Sequence, residues 1–423
     1  MIGSIDRRTV LGGLALGTLA LYAPQAQSQI KARIVIVGGG FGGATAARTL
    51  KSLLNSADIT LVEANETYTS CPFSNLVIGS ERSISEQSFS YQTLKQDGLS
   101  VVHQRAVAVD PVGQTVTMQD GTTLGYDRLI LSPGVDLRWG ALEGYTEATA
   151  ERLPHAWKAG TQTTLLRQQL EALEDGENVI MTVPPAPFRC PPGPYERASL
   201  IAHYLKTRKP RSKLLVLDAK DRFSKMPLFL EAWAEHYPEH LEWRSASNDG
   251  TVSRVDAERM QVSTDFEDIE AAVINVIPPQ KAATIAELAG VTDATGWCPI
   301  DPVSFESTLQ PNIHVIGDAT IAAPMPKSAF SANLQGKLCA MAVAQLLGGR
   351  APEPTVLANT CYSYTTPNEA ISIVGVYSNG SGKFESLPGA GGLSPLQAPA
   401  EIRQAEARQA SDWFTAVTRE AFG

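Results

Sequence analysis

Cys190 and Glu196 stand six residues apart in the run Phe188-Arg189-Cys190-Pro191-Pro192-Gly193-Pro194-Tyr195-Glu196. A thiol supplies nucleophilic and redox chemistry, and a carboxylate whose pKa is raised by burial can accept a proton beside it. Glu196 equally suits the first turn of a following helix, where an acid favours the dipole. Four further cysteines are present: Cys71 in Ser70-Cys71-Pro72-Phe73, Cys298 in Gly296-Trp297-Cys298-Pro299, Cys339, and Cys361 in Asn359-Thr360-Cys361-Tyr362-Ser363. None forms Cys-x-x-Cys, which excludes zinc-ligand spacing and the Cys-x-x-Cys-His attachment of c-type haem, so no metal site is expected on this chain. Cys298 and Cys339 read either as a structural disulfide or as two small buried residues.

These residues need elements to position them. Ile34-Val35-Ile36-Val37 is a buried β-branched strand that runs into Gly38-Gly39-Gly40-Phe41-Gly42-Gly43 and then an Ala-rich helix. Gly38, Gly40 and Gly43 match G-x-G-x-x-G: a tight turn, a close backbone approach to pyrophosphate, and close helix–sheet packing. A second strand, Asp58-Ile59-Thr60-Leu61-Val62, ends at Glu63, 20 residues after Gly43, where a carboxylate accepts from a ribose hydroxyl. A dinucleotide site follows.

Further along, Ile313-His314-Val315-Ile316-Gly317-Asp318-Ala319 is a strand ending in Gly-Asp-Ala before a helix near 328–347. It resembles the second FAD fingerprint of two-dinucleotide-binding-domain flavoproteins, which implies that Gly317 and Asp318 meet the ribityl chain. Tyr126-Asp127-Arg128-Leu129-Ile130-Leu131-Ser132-Pro133-Gly134 resembles the strand that closes the same FAD domain. Lys327, just before that helix, reads as a cation facing the flavin N1/O2 edge or as a solvated loop lysine. The middle segment repeats a strand at 179–183, but six prolines between Pro184 and Pro194 replace the expected glycine turn. Proline has no N–H to offer a pyrophosphate, so a nicotinamide donor is not expected.

The chain has 423 residues, 43% hydrophobic and 19% charged, with a net charge of −9. That length allows two to three domains with real cores, and the acidic balance disfavours nucleic acid as a partner. Arg7-Arg8 followed by a short glycine-bearing apolar run reads as a twin-arginine signal over residues 1–28. Periplasmic export and a mature chain with no integral membrane segment are expected. In an oxidising compartment an odd number of cysteines asks for a reason, and one thiol linked covalently to a cofactor leaves an even number.

The chain resembles the flavoprotein subunit of flavocytochrome c sulfide dehydrogenase, a relative of sulfide:quinone oxidoreductase. The Cys-Pro-Pro-x-Pro-x-Glu run at 190–196 and Asn-Thr-Cys-Tyr-Ser at 359–363 carry the resemblance. It implies an FAD held covalently through Cys71 and a redox disulfide between Cys190 and Cys361, beside which Glu196 is the candidate proton acceptor. It also implies haem c on a separate cytochrome subunit in a heterodimer, with sulfide as the substrate.

The expected fold is α/β, with two Rossmann-like dinucleotide-binding domains and a C-terminal α+β interface segment. The FAD domain is discontinuous, 31–150 with 285–350, around a middle domain at 151–284; residues 351–423 form the C-terminal segment. Residues 400–412 are too polar for a bilayer-seeking tail, which favours a cytochrome over a quinone as acceptor. Sulfide:quinone oxidoreductase and a non-catalytic FAD redox partner are the alternatives. Trp413 reads as packing or as a residue between flavin and haem.

Overall fold

The computed structural model describes residues 31–423, so the twin-arginine reading of residues 1–28 lies outside the described residues. The larger elements begin with β1 (Arg33–Val37), α1 (Phe41–Leu53), β2 (Asp58–Val62), α2 (Ser74–Ile78), β3 (Ser100–Val102) and β4 (Arg128–Leu131). A middle group follows: α3 (Thr161–Ala172), β5 (Val179–Val183), α4 (Gly193–Arg208), β6 (Leu214–Asp218), α5 (Met226–His236), β7 (Leu241–Arg244) and β8 (Val273–Val276). The chain ends with β9 (Ile313–Val315), α6 (Ala329–Leu347), the long pair β10 (Val356–Thr366) and β11 (Glu369–Ser378), and α7 (Ala400–Phe422).

The first sheet is parallel with strand order β9-β4-β1-β2-β3. Its apolar residues do not alternate with polar ones because both faces are covered. Ile34 and Ile36 pack under α1 and α6, while Val35 and Val37 point into the core on the other face with Leu129 and Val315. The small residues of α1 let α6 approach closely: a Cβ on Gly336 would lie 2.4 Å from the Gly42 carbonyl oxygen. β9 reaches this sheet from more than 180 residues after β4, so the domain is assembled from two stretches of chain.

The second sheet, order β7-β6-β5-β8, is also parallel and lies wholly between those stretches. β10 and β11 form an antiparallel hairpin that sets Cys361 opposite Ile373. α7 buries Ala407, Ala410, Phe414, Val417 and Ala421 along one stripe at helical spacing. Phe414 stacks on Phe73 at 4.4 Å between ring centroids, and Phe422 stacks on Tyr68 at 5.0 Å and on Phe89 at 5.3 Å. Each fully buried ring of this kind stabilises the fold by about 2 kcal/mol. Arg48 of α1 donates to the carbonyls of Arg419 and Glu420 at 3.0 and 2.8 Å, meeting the open C-terminal end of α7. The apolar stripe of the C-terminal helix is thus spent within its own chain. Among the described residues no helix is long and apolar enough to cross a membrane.

Candidate active site

A cavity of about 1200 Å³ opens at the carboxyl ends of the first sheet, where α2, the loop before α4, the start of α6 and the β10 strand converge. This is where open α/β sheets hold ligands. The glycine turn forms one wall. Gly38 has φ +99°, and a Cβ there would sit 2.2 Å from the Ser132 carbonyl oxygen; a Cβ on Gly43 would sit 1.9 Å from that of Gly38. Glu63 lines the wall beside Gly40, accepting from the Gly39 amide at 2.8 Å and the Asn65 amide at 3.0 Å.

Gly317 and Asp318 reach the same cavity from the end of β9. Among the described residues Asp318 Oδ1 is buried without a hydrogen-bond partner, and burial raises its carboxyl pKa against the pull of Arg189 and Lys327. An unpartnered acceptor of this kind suits the hydroxyls of a ribityl chain. Glycine cradle, rim carboxylate and orphaned acceptor together fit FAD, which the residues Gly38, Gly40, Gly43, Glu63, Gly317 and Asp318 would hold.

Three of the five cysteines meet here: Cys71, Cys190 and Cys361 all line the cavity, and Cys298 and Cys339 do not. Cys298 and Cys339 are free buried thiols in different core clusters, so they pack as small apolar residues. Cys71 lies at the N-terminal approach to α2, with its Sγ 3.8 Å from the Trp157 carbonyl oxygen. Arg189 donates to that same carbonyl. Cys190 takes a left-handed backbone, φ +55°, directly before Pro191. A residue before proline is restricted already, so this conformation is strained and has to be held. Two hydrogen bonds hold it, from the Cys190 amide to the Lys327 carbonyl and from the Gly193 amide to the Cys190 carbonyl, both 2.8 Å.

Cys361 faces the cavity from β10 and receives Asn359 Nδ2 at 3.7 Å; Asn359 in turn accepts from Ser328 at the start of α6. In the structure Cys190 and Cys361 are free thiols, not the bonded pair that the resemblance implies. Burial pushes the Cys190 thiol up, and the charge of a Cys361 thiolate pushes it further. Burial likewise raises the Cys361 thiol against the pull of Lys225, and a charge on Cys361 disfavours one on Cys190.

Glu196 arrives on the first turn of α4 and lines the cavity. Its carboxylate accepts from Asn75 Nδ2 at 2.8 Å and the Tyr364 amide at 2.9 Å. Burial raises its pKa against those two bonds. Asn75 also accepts from Arg197, which is only 2% exposed and spans to Asn275 and to the carbonyls of His155 and Ala156. α2, α4 and the loop carrying Trp157 are locked together by this one guanidinium.

Lys327 is not a residue of the cavity wall. Its Nζ donates to the carbonyls of Asp318 and Thr320 at 2.8 and 2.6 Å and lies 3.8 Å from the centroid of the Trp297 ring. Burial lowers its pKa to about 8. The ammonium expected to face a flavin instead ties the Gly-Asp-Ala turn together, and the carbonyl of Lys327 anchors Cys190. Trp413 of α7 does reach the cavity, stacked on Phe330 at 6.3 Å.

Asp218, at the end of β6 where a ribose carboxylate would stand, is fully buried. It accepts from Lys220 at 2.6 Å, Tyr195 at 2.7 Å and Trp243 at 3.1 Å, and Tyr195 stacks on Phe223 at 3.6 Å. Tyr195, Phe223 and Trp243 pack together around this carboxylate.

Asn75, Arg189, Arg197 and Lys225 are site residues that spacing does not single out. Asn75 stands four residues after Cys71, and Arg189 adjoins Cys190, so proximity to a cysteine was the available signal for these two. Arg197 and Lys225 carried none.

Three family models match the chain. The central domain of the sulfide dehydrogenase [flavocytochrome c] flavoprotein chain matches residues 163–278, and the flavin-binding domain of flavocytochrome c sulphide dehydrogenase matches 353–422. The pyridine nucleotide-disulphide oxidoreductase model matches residues 32–173. The flavoprotein chain of sulfide dehydrogenase [flavocytochrome c] from Chlorobaculum thiosulfatiphilum is 53% identical over 45 residues, 11% of this chain and 94% of that sequence. Mitochondrial sulfide:quinone oxidoreductase from Mus musculus is 21% identical over 308 residues, 68% of this chain and 65% of that protein's length. The crystal structure of sulfide:quinone oxidoreductase from Aquifex aeolicus superposes with a TM-score of 0.73 at 16% identity, covering 92% of each chain.

Proposed function

The chain belongs to the flavocytochrome c sulfide dehydrogenase flavoprotein family, FAD-binding relatives of the sulfide:quinone oxidoreductases, and from that premise we propose that it oxidises sulfide at the Cys190–Cys361 pair. The observation that carries this reading is the convergence of Cys71, Cys190, Cys361 and Glu196 on the same cavity that the glycine turn lines. In the oxidised form the two cysteines are joined as a disulfide. Sulfide at neutral pH is largely HS⁻, a soft nucleophile that attacks one sulfur, forms a persulfide there and displaces the other as a thiolate. Glu196, held by Asn75 and the Tyr364 amide and raised by burial, takes the proton released from the sulfur nucleophile. A second sulfide removes the sulfane sulfur as polysulfide or sulfur. FAD, when bound, supplies the two-electron acceptor that restores the disulfide, with Cys71 placed to tether it covalently.

The donor is sulfide, not NAD(P)H: the Asp218 cluster and the proline loop offer no pyrophosphate cradle. The electrons leave to a haem c on a partner cytochrome subunit in a heterodimer. The polar outer face of α7 and its inward apolar stripe favour this acceptor over a quinone dissolved in a bilayer. Export by the twin-arginine route would place the pair in the periplasm, where the disulfide persists.

Anaerobic flavin absorbance decides the matter. Sulfide is expected to bleach the flavin of the holoprotein stoichiometrically, while NADH in a parallel sample leaves it oxidised. Bleaching by NADH alone sinks the proposal.

A further inference from the structure

Lys225 is buried to 3% exposure between the second sheet's helices and the β10–β11 hairpin. Its Nζ donates to the carbonyl of Cys361 at 3.1 Å, to Ser363 Oγ at 2.8 Å and to the carbonyl of Ile371 at 3.3 Å. All three donors are used, yet no carboxylate pairs with the ammonium among the described residues. The backbone is left-handed at φ +61°, a conformation that non-glycine residues avoid unless their surroundings impose it. The ammonium also lies 5.8 Å from the centroid of the Phe229 ring, and burial lowers its pKa to about 8, since a buried cation held by neutral groups is unfavourable unless an anion lies close by.

The charged and titratable groups facing Lys225 are Cys361 on β10, Cys190 on the proline loop, Glu196 on α4 and Glu406 on α7. Cys361 is the foremost of these groups: burial pushes its thiol up, and Lys225 is the leading influence that pulls it back towards the thiolate. Tyr377, on the neighbouring strand, is a further titratable group facing Cys361. Glu406 is already engaged by Ser372 and Ser394 at 2.8 and 2.5 Å. Glu196 is engaged by Asn75 and Tyr364.

We propose that Lys225 is a positioning residue that makes Cys361 the resting place of the thiolate, because its ammonium is anchored on the Cys361 carbonyl and lacks an anion of its own. The inference rests on the disulfide chemistry proposed above and assigns its direction. HS⁻ attacks Cys190 Sγ and forms a new S–S bond, the Cys190–Cys361 bond breaks, and its electron pair leaves on Cys361 Sγ. Cys190 carries the persulfide and keeps the proton of HS⁻ until Glu196 takes it. No further oxidant is involved in this step.

The test uses the dithiol form of the holoprotein and does not depend on sulfide turnover. Iodoacetamide alkylation of Cys190 and Cys361 is followed separately by mass spectrometry across pH, and each cysteine is read by its midpoint. In the wild type Cys361 is expected to titrate at least one pH unit below Cys190. In Lys225→Met, Cys361 alkylation near pH 7.5, relative to its high-pH plateau, is expected to fall at least tenfold, while Lys225→Arg keeps most of it. Equal midpoints in the wild type, or an unmoved Cys361 in Lys225→Met, overturn the inference. If Lys225→Met does not fold, the wild-type comparison and Lys225→Arg still decide. A Cys361 that titrates below Cys190 in a protein whose flavin ignores sulfide would refute the proposed function and leave the placement of the thiolate standing.

Discussion

Glu196 is held by two donors that would ordinarily keep a carboxylate acidic, yet burial outweighs them and its pKa is raised. A base must be deprotonated to act, so sulfide oxidation should fall as pH drops through that raised pKa. Glu196→Gln keeps an acceptor for the Tyr364 amide but cannot take a proton. We expect flavin reduction by sulfide to slow by about 100-fold and the acidic limb of its pH profile to flatten, read by stopped-flow absorbance. A variant that retains the limb would leave Glu196 a helix-start acid and no more. Lys327 shows the opposite outcome for a charged residue beside a fingerprint. Its three donors face two carbonyls and a ring, so its contribution is to fix the Asp318 turn and to anchor Cys190 through its backbone.

At the scale of elements, β5, β6 and α4 keep the topology of a nucleotide-binding unit while their loops and side chains close it. Asp218 is the centre of the closure, since Lys220, Tyr195 and Trp243 all donate to it. Removing one partner of a buried ion pair strands the other, so Asp218→Ala should destabilise the protein by about 3 kcal/mol in denaturant titrations. It should also leave NADH unable to reduce the flavin, because the proline loop still lacks the amides. An unchanged unfolding midpoint would mean the cluster is looser than its hydrogen bonds imply.

The sequence made these elements legible where a local pattern existed: β-branched runs, the glycine turn, Gly-Asp-Ala, and prolines in place of glycines. Those signals act over a few residues. Arg197 and Lys225 were illegible because their roles depend on partners that folding brings from far along the chain, Asn75 at 122 residues and Ser363 at 138. The apolar stripe of α7 was equally hidden by the helix's polar overall composition. Its burial was decided by Phe73, Phe89 and Tyr68 at the other end of the chain.

Two buried histidines, His155 and His314, tie the stability of the whole molecule to pH. His155 lies where the chain leaves the first sheet for the second, accepting from the Trp157 amide at 2.9 Å, and burial lowers its pKa to about 3. His314 is fully buried within β9, its Nδ1 2.9 Å from the Ser304 carbonyl, and burial lowers its pKa to about 4. Both stay neutral in the folded chain, whereas the unfolded chain protonates them near pH 6.5. With depressed folded pKa values, their stabilisation is present above pH 6.5 and is lost as pH falls towards those values. By pH 5 the loss is about 2 kcal/mol for each. Ordinary carboxylates titrate below this window. The raised Glu196 and Asp318 act with the opposite sign, since the folded state binds their protons first. Denaturant titrations of the holoprotein at pH 7 and pH 5 should therefore show a net loss of about 2 to 4 kcal/mol, and His314→Gln should remove roughly half of it. Equal stability at the two pH values would mean that one or both imidazoles take up a proton without unfolding, and that the junctions they occupy open to water.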